Sequence, residues 1–231
     1  MEKTLSKTRE FQGRLLTLDV HQVELEDGSR SSREIVLHPD AVCCVVVTKE
    51  METVLVRQYR KPVEKPILEI PAGKIDDGED PAEAAVRELR EEVGFQDGKV
   101  EHLMDFYSSP GFCNEKLGLF LATEAVLGEQ QLDEGEFIEL VKVPLGKARE
   151  MALKGELGDA KSVAGILAAA ERIFVEHGYE GATIRKIADE VGLSSTALYM
   201  HFPDKGAILQ EICRNAFSVL TAAAASLSAG S

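Results

Sequence analysis

The sequence predicts an α/β fold, a mixed β-sheet covered by helices, followed by a smaller all-α segment. Three observations carry this. Residues 41–48 read AVCCVVVT, a nearly unbroken apolar, β-branched run of the kind that forms a strand buried on both faces. Strand patterns both precede and follow one strongly capped helix, which indicates a mixed sheet covered by helices. Beyond residue 165 the pattern turns helical, with Ile166, Leu167, Ala170, Ile173 and Phe174 on one face.

In chain order, residues 15–26 alternate weakly and stop at Asp27-Gly28, a hairpin signal, and residues 32–37 return from it. The apolar run 41–48 is followed by strand patterns at 53–59 and 67–70. The helix over 82–93 has its ends written in the sequence. Asp80 is a good N-cap, Pro81 suits the first helical position and Glu83 completes a D-x-x-E capping arrangement. Strong helix formers follow, and Gly94 stands where a C-terminal glycine cap belongs. Further strands are expected at 100–107, 117–123 and 137–143.

A chain of 231 residues holds one large domain or two small ones. The formal charge of −14 argues against gross nucleic-acid affinity. From Ala160 onward, however, six Lys/Arg balance seven Asp/Glu, so nearly all of the negative charge lies earlier and the C-terminal part is the less hostile to a polyanion. No apolar run reaches transmembrane length, and the opening MEKTLSKTREFQG lacks the apolar stretch of a signal peptide. Cys43, Cys44, Cys113 and Cys213 have no metal-ligand spacing, and the adjacent pair inside a strand suits a reducing compartment. The expectation is a cytoplasmic protein without membrane attachment.

The chemistry is concentrated in residues 73–95, GKIDDGEDPAEAAVRELREEVGF. On the helix, Glu88 and Glu92 are four apart and Glu88 and Glu91 three apart, so three carboxylates crowd one face. Like charges at this spacing cost about 0.2–0.5 kcal/mol per pair, which a bound cation offsets. A hard divalent ion takes carboxylate oxygens, keeps waters and leaves room for phosphate oxygens. Arg87 is placed to pair with Glu79 or Glu91. An E-x-x-E-E cluster alone is ordinarily a solvated helix face, but here it sits in a longer pattern, G-x5-E-x7-R-E-U-x-E-E-x-G-U with U a bulky apolar residue, and every fixed position is filled.

That pattern is the Nudix box, and the stretch resembles the Nudix hydrolases, which cleave a nucleoside diphosphate linked to another group with the help of divalent metal. The resemblance implies an α/β/α Nudix sandwich with a mixed sheet over residues 1–162. Neighbouring segments look like the ADP-ribose pyrophosphatase branch. They are Glu34-Ile35-Val36 with His38-Pro39, Arg57-Gln58-Tyr59-Arg60-Lys61-Pro62, Leu68-Glu69-Ile70-Pro71-Ala72-Gly73, and Ser109-Pro110-Gly111-Phe112, whose proline follows the box glycine Gly94 by sixteen residues.

Carried over position by position, the resemblance implies that Glu88, Glu92 and the Ala72 carbonyl are metal ligands, with Glu91 a ligand or orienter and Arg87 a box residue of the catalytic set. Glu134 or Glu136, in the acidic loop Asp133-Glu134-Gly135-Glu136, would be the general base or a further ligand. Arg60 would grip the diphosphate, and Arg57, Glu69, Pro110 and Glu115 would line the substrate site. Gly135 and Asn114 depart from the branch, which commonly has acidic residues there. The implied cofactor is Mg²⁺ or Mn²⁺ and the implied substrate ADP-ribose or a related nucleotide sugar, with recognition of the adenine end across a homodimer interface.

A second resemblance covers residues 163–220, which look like the helix-turn-helix DNA-binding domain of TetR-family repressors, before a low-complexity tail at 221–231. Thr183 would cap the second helix, Gly192 make the turn and Ser194 cap a short recognition helix through Tyr199. By this resemblance Thr183, Ser195, Thr196, Tyr199, His201 and Lys205 would face DNA, mostly its phosphates. Two functions of different class emerge: a nucleotide-sugar diphosphatase, or a transcription regulator that uses the first domain as a nucleotide-sugar sensor.

Overall fold

A computed structural model describes residues 1–133 and 135–181, without the side chains of 174–181. By its contacts the chain divides into two units, Met1–Glu171 and Arg172–Ser231, and the first holds every strand among the described residues. The sequence-predicted residues Glu134, Thr183, Ser195, Thr196, Tyr199, His201 and Lys205 lie outside the described residues.

Two sheets form. Strands β1 (Lys3–Gln12), β2 (Thr17–Glu24) and β3 (Arg30–Leu37) make an antiparallel three-stranded sheet in that order. The β2–β3 turn is the hairpin expected at Asp27-Gly28: Gly28 takes φ +79°, and Asp27 Oδ1 accepts the Ser29 N–H at 2.9 Å. The second sheet contains β4 (Ala41–Thr48), β5 (Glu52–Arg60), β6 (Lys65–Glu69), β7 (Ala72–Lys74), β8 (Phe95–Tyr107), β9 (Lys116–Leu127) and β10 (Glu139–Pro144). Its order is β10-β5-β4-β9-β8, with β6 beside β5 and β7 beside β4. The β4–β9 pair is parallel and its neighbours are antiparallel, so the sheet is mixed, as the strand–helix order predicts.

Helix α1 (Pro81–Val93) has the predicted ends. Asp80 accepts the Ala82 and Glu83 N–H groups at 2.8 and 3.4 Å, and Gly94 closes the helix at φ +68°. A side chain at Gly94 would meet the Gly128 carbonyl at 2.5 Å, so the position excludes one on both conformational and steric grounds. Helix α2 (Leu145–Lys154) follows β10, and α3 spans Ala160–Gly181.

The two helix layers are separated by the alternation of β4. Val42, Cys44 and Val46 join a core with Ala84, Ala85, Leu89 and Val93 of α1. Val45, on the other pleat, meets Gly165 of α3 together with Leu119 and Ile70. All eight residues of β4 are buried, as a strand between two helix layers must be. Burial also pushes the Cys43 thiol up to about 12 and raises that of Cys44, so both act as small apolar side chains.

Among the strands and α-helices, β1, β7 and α2 had no sequence expectation. Every residue of β1 is exposed, so no apolar alternation announced it. Helix α3 runs unbroken from Ala160 to Gly181, so residues 160–165 lead straight into the helical pattern that begins at Ile166. No helix among the described residues is long and apolar enough to cross a membrane.

Candidate active site

The site is built where α1 faces β7 and the loop before β10. The apolar stripe of α1 includes Ala84, Ala85, Leu89 and Val93, and it also includes Glu92, which is only 6% exposed. A carboxylate in that stripe is expensive unless it is hydrogen-bonded or neutralised. Glu92 Oε2 accepts the Ala72 N–H at 3.0 Å, which ties the C-terminal end of α1 to β7 and brings the Ala72 backbone to the carboxylate. Burial nevertheless pushes the Glu92 carboxyl up to about 8, with the Ala72 N–H opposing the shift, the charges of Glu88 and Glu136 adding to it and that of Arg60 again opposing it. Burial likewise raises Glu88.

Arg87 organises the rest. Its Nε and Nη2 grip both oxygens of Glu79 at 2.9 Å, Nη1 reaches Glu88 at 2.7 Å and Glu91 at 3.1 Å, and Nη2 also donates to the Lys74 carbonyl at 2.9 Å. Sequence reasoning offered Glu79 or Glu91 as its partner; both are, together with Glu88. The fork geometry of guanidinium accounts for such sharing, which lysine could not reproduce. Gly73 gives Glu88 its room, since a Cβ there would lie 1.9 Å from the Glu88 carboxyl carbon. Here the glycine is required by close approach.

The C-terminal carbonyls of α1 are satisfied by the segment after β9. Gly128 N–H donates to Gly94, Gln131 N–H to Glu91 and the Gln130 side-chain amide to Glu92, at 2.6–2.8 Å. This clasp leads directly into the acidic loop, where Glu136 is exposed yet close enough to bear on both Glu88 and Glu92. The clasp had no signal in the sequence beyond glycine and glutamine in a loop.

The expected substrate residues separate. Arg60 ends β5, binds Glu69 through Nε at 2.8 Å, and its charge reaches Glu92. Arg57 lies on the other pleat of β5 and pairs at 3.6 Å with Glu139 of β10, its register partner. Glu69 is 3% exposed and holds two cations, Arg60 and Lys161. Pro110 is exposed in a turn in which Phe112 and Cys113 donate to the Ser109 carbonyl. Glu115 stands 3.3 Å from His38 Nδ1, and Asn114 accepts the His38 N–H at 2.8 Å, so this turn is stapled to the end of β3. The Lys161–Glu69 and His38–Glu115 contacts were missed, because each pairs residues far apart in the chain.

A family model described as NUDIX domain matches residues 37–165, more than half of the chain. The chain belongs to the Nudix family. It is 46% identical over 163 residues to an ADP-ribose pyrophosphatase of Bacillus subtilis (strain 168), covering 70% of this chain and 88% of that protein. It is 44% identical over 164 residues to a methanol dehydrogenase activator of Bacillus methanolicus, covering 70% and 89%. A crystal structure of an ADP compounds hydrolase superposes with a TM-score of 0.69 at 26% identity, covering 76% of this chain and 95% of that one. A second family model, bacterial regulatory proteins of the tetR family, matches residues 166–212. Its match begins inside α3.

Nudix hydrolases generally use divalent metal cations. The donor set here fits such an ion: Glu88, Glu91 and Glu92 on one helix, the Ala72 backbone beside Glu92, and a glycine that leaves space at Glu88. Among the described residues no three His, Cys, Asp or Glu side chains are already arranged around a common metal position. Glu88 and Glu91 turn toward Arg87, and Glu92 toward Ala72.

Glu92 confers a pH effect. Burial raises the Glu92 carboxyl to about 8, so a divalent cation taken up on this carboxylate near neutral pH would displace a proton. Affinity for a divalent cation is therefore expected to rise with pH up to about 8 and then level off. Titration calorimetry in buffers of different ionisation enthalpy should show proton release at pH 7, and no release there would contradict the assignment.

Proposed function

We propose that the Nudix domain hydrolyses the diphosphate bond of ADP-ribose, giving AMP and ribose 5-phosphate, or that of a related nucleotide sugar, with Mg²⁺ or Mn²⁺ as cofactor. The observation that carries this is the buried Glu92, set beside Glu88 and the Ala72 backbone on a helix whose remaining carboxylates are oriented by Arg87. The names of the relatives, pyrophosphatase and ADP compounds hydrolase, support the substrate class.

In this reading Glu88, Glu91, Glu92 and the Ala72 carbonyl hold the metal, which when bound neutralises diphosphate charge and acidifies a water. Arg60, on the rim beside Glu92, grips the diphosphate. Glu136, or Glu134 two residues earlier in the sequence, takes the proton of the attacking water. The turn carrying Pro110 is held against the end of β3, Glu115 beside it would lie near the ribose of the substrate, and Arg57 would also contact substrate. A panel of nucleotide sugars assayed for AMP or other nucleotide release tests the substrate class; turnover of none of them would sink it.

The homodimer is part of the same proposal. The three-stranded β1–β3 sheet presents a wholly exposed outer strand ten residues long, and such edges are usually covered. Sedimentation at micromolar concentration should give twice the chain mass, and a monomer would count against it. The match of residues 166–212 to the tetR family favours a second reading, a DNA-binding regulator whose Nudix domain senses a nucleotide sugar. It requires salt-dependent retention of a palindromic duplex, and lack of retention at low salt would end it.

A further inference from the structure

Glu69, the last residue of β6, is buried and carries one cation on each oxygen. Arg60 Nε binds Oε2 at 2.8 Å, and Lys161 Nζ binds Oε1 at 3.0 Å. Lys161 comes from the first turn of α3 and also donates to Asp159 at 2.6 Å. The next residue, Ser162, is fully buried and accepts the Ile70 N–H at 2.8 Å, so two consecutive residues fasten the start of α3 to the end of β6. The four charges form a chain, Arg60–Glu69–Lys161–Asp159, with Arg60 at the open end: its side chain is 39% exposed, whereas that of Lys161 is 13% exposed.

We infer that Lys161 is a positioning residue for the substrate clamp. By sharing Glu69 it sets how tightly that carboxylate retains Arg60, and hence how much of the guanidinium is available to a diphosphate. This rests on the proposed role of Arg60 in gripping the diphosphate. The direction of the effect comes from the charges. Without Lys161, the whole Glu69 charge falls on Arg60 and holds it back from substrate. Without the Asp159 charge, Lys161 turns fully to Glu69 and Arg60 is freer. A purely structural role for the network would move both variants the same way.

Steady-state kinetics of the full chain with ADP-ribose and Mg²⁺ test this. Lys161→Gln is expected to raise KM about tenfold with kcat within about twofold, the signature of lost binding rather than lost chemistry. Lys161→Arg should recover most of the lost affinity, because it keeps the charge at Glu69. Asp159→Asn should lower KM about twofold or more. In an Arg60→Ala background Lys161→Gln should add nothing, because its effect passes through Arg60.

Effects of Lys161→Gln and Arg60→Ala that multiply would overturn the inference, as would an Asp159→Asn variant with raised KM. An unchanged KM in Arg60→Ala alone would remove the diphosphate-clamp reading and the inference with it. An impaired Arg60→Ala beside a silent Lys161→Gln would remove the inference only. Should Lys161→Gln fail to fold by circular dichroism, the sign of the Asp159→Asn effect decides.

Discussion

Glu92→Gln is expected to cut kcat by about a hundredfold to ten-thousandfold, the equivalent of several kcal/mol of transition-state charge stabilisation. The fold should survive it. Glutamine has the shape of the carboxyl it replaces, and its amide oxygen can still accept the Ala72 N–H that Glu92 accepts at 3.0 Å. It also replaces an ionisable group by a neutral one at a position 6% exposed, where burial disfavours the charge, so thermal stability measured in a chelator should be unchanged or higher. Activity and stability thus move apart, which is what separates a ligand position from a packing position. A variant that lost both together would show that Glu92 serves the fold and not the reaction.

Arg87→Ala should lose both. Four groups depend on this side chain: Glu79, Glu88, Glu91 and the Lys74 carbonyl. Truncation leaves three carboxylates uncompensated around a guanidinium that is 31% exposed, and partial solvation discounts the usual cost of breaking a buried pair to about 2–3 kcal/mol. For a unit of this size the expected fall in melting temperature is about 4–10 °C. Activity should fall as well, since Glu88 and Glu91 lose the contact that sets their rotamers.

The pH dependence carries a further signature. Hydrogen bonds from Arg87, then that of the Asp76 N–H, hold the Glu79 carboxyl down at about 2, well below its ordinary value of 4.5. A depressed carboxylate contributes stability that is complete above the unfolded value and disappears as pH falls through the folded one. Wild-type stability should therefore decline between about pH 4.5 and pH 2, and Arg87→Ala should flatten that decline. Equal slopes in the two proteins would mean that the pair contributes nothing.

The features legible in advance were local. The caps of α1 at Asp80 and Gly94 and the buried run of β4 arise from short-range chemistry, and the spacing of Glu88, Glu91 and Glu92 fixes their common helix face. The pairing of Arg87 was legible only as a choice between Glu79 and Glu91, because a linear sequence does not reveal how many acceptors a guanidinium fork can reach. Arg57 and Arg60 are both expected at the substrate site, and a spacing of three on a strand puts them on opposite pleats. The role of Lys161 was invisible, since 92 residues separate it from Glu69. Strand β1 had no apolar alternation because none of its side chains is buried.

The most direct measurement is to incubate the full chain with ADP-ribose and Mg²⁺ and separate the products by chromatography, beside Glu92→Gln. The expected result is AMP and ribose 5-phosphate in equal amounts from the wild type and almost none from the variant. Equal rates in the two proteins, or no hydrolysis by either, would contradict the assignment of this site.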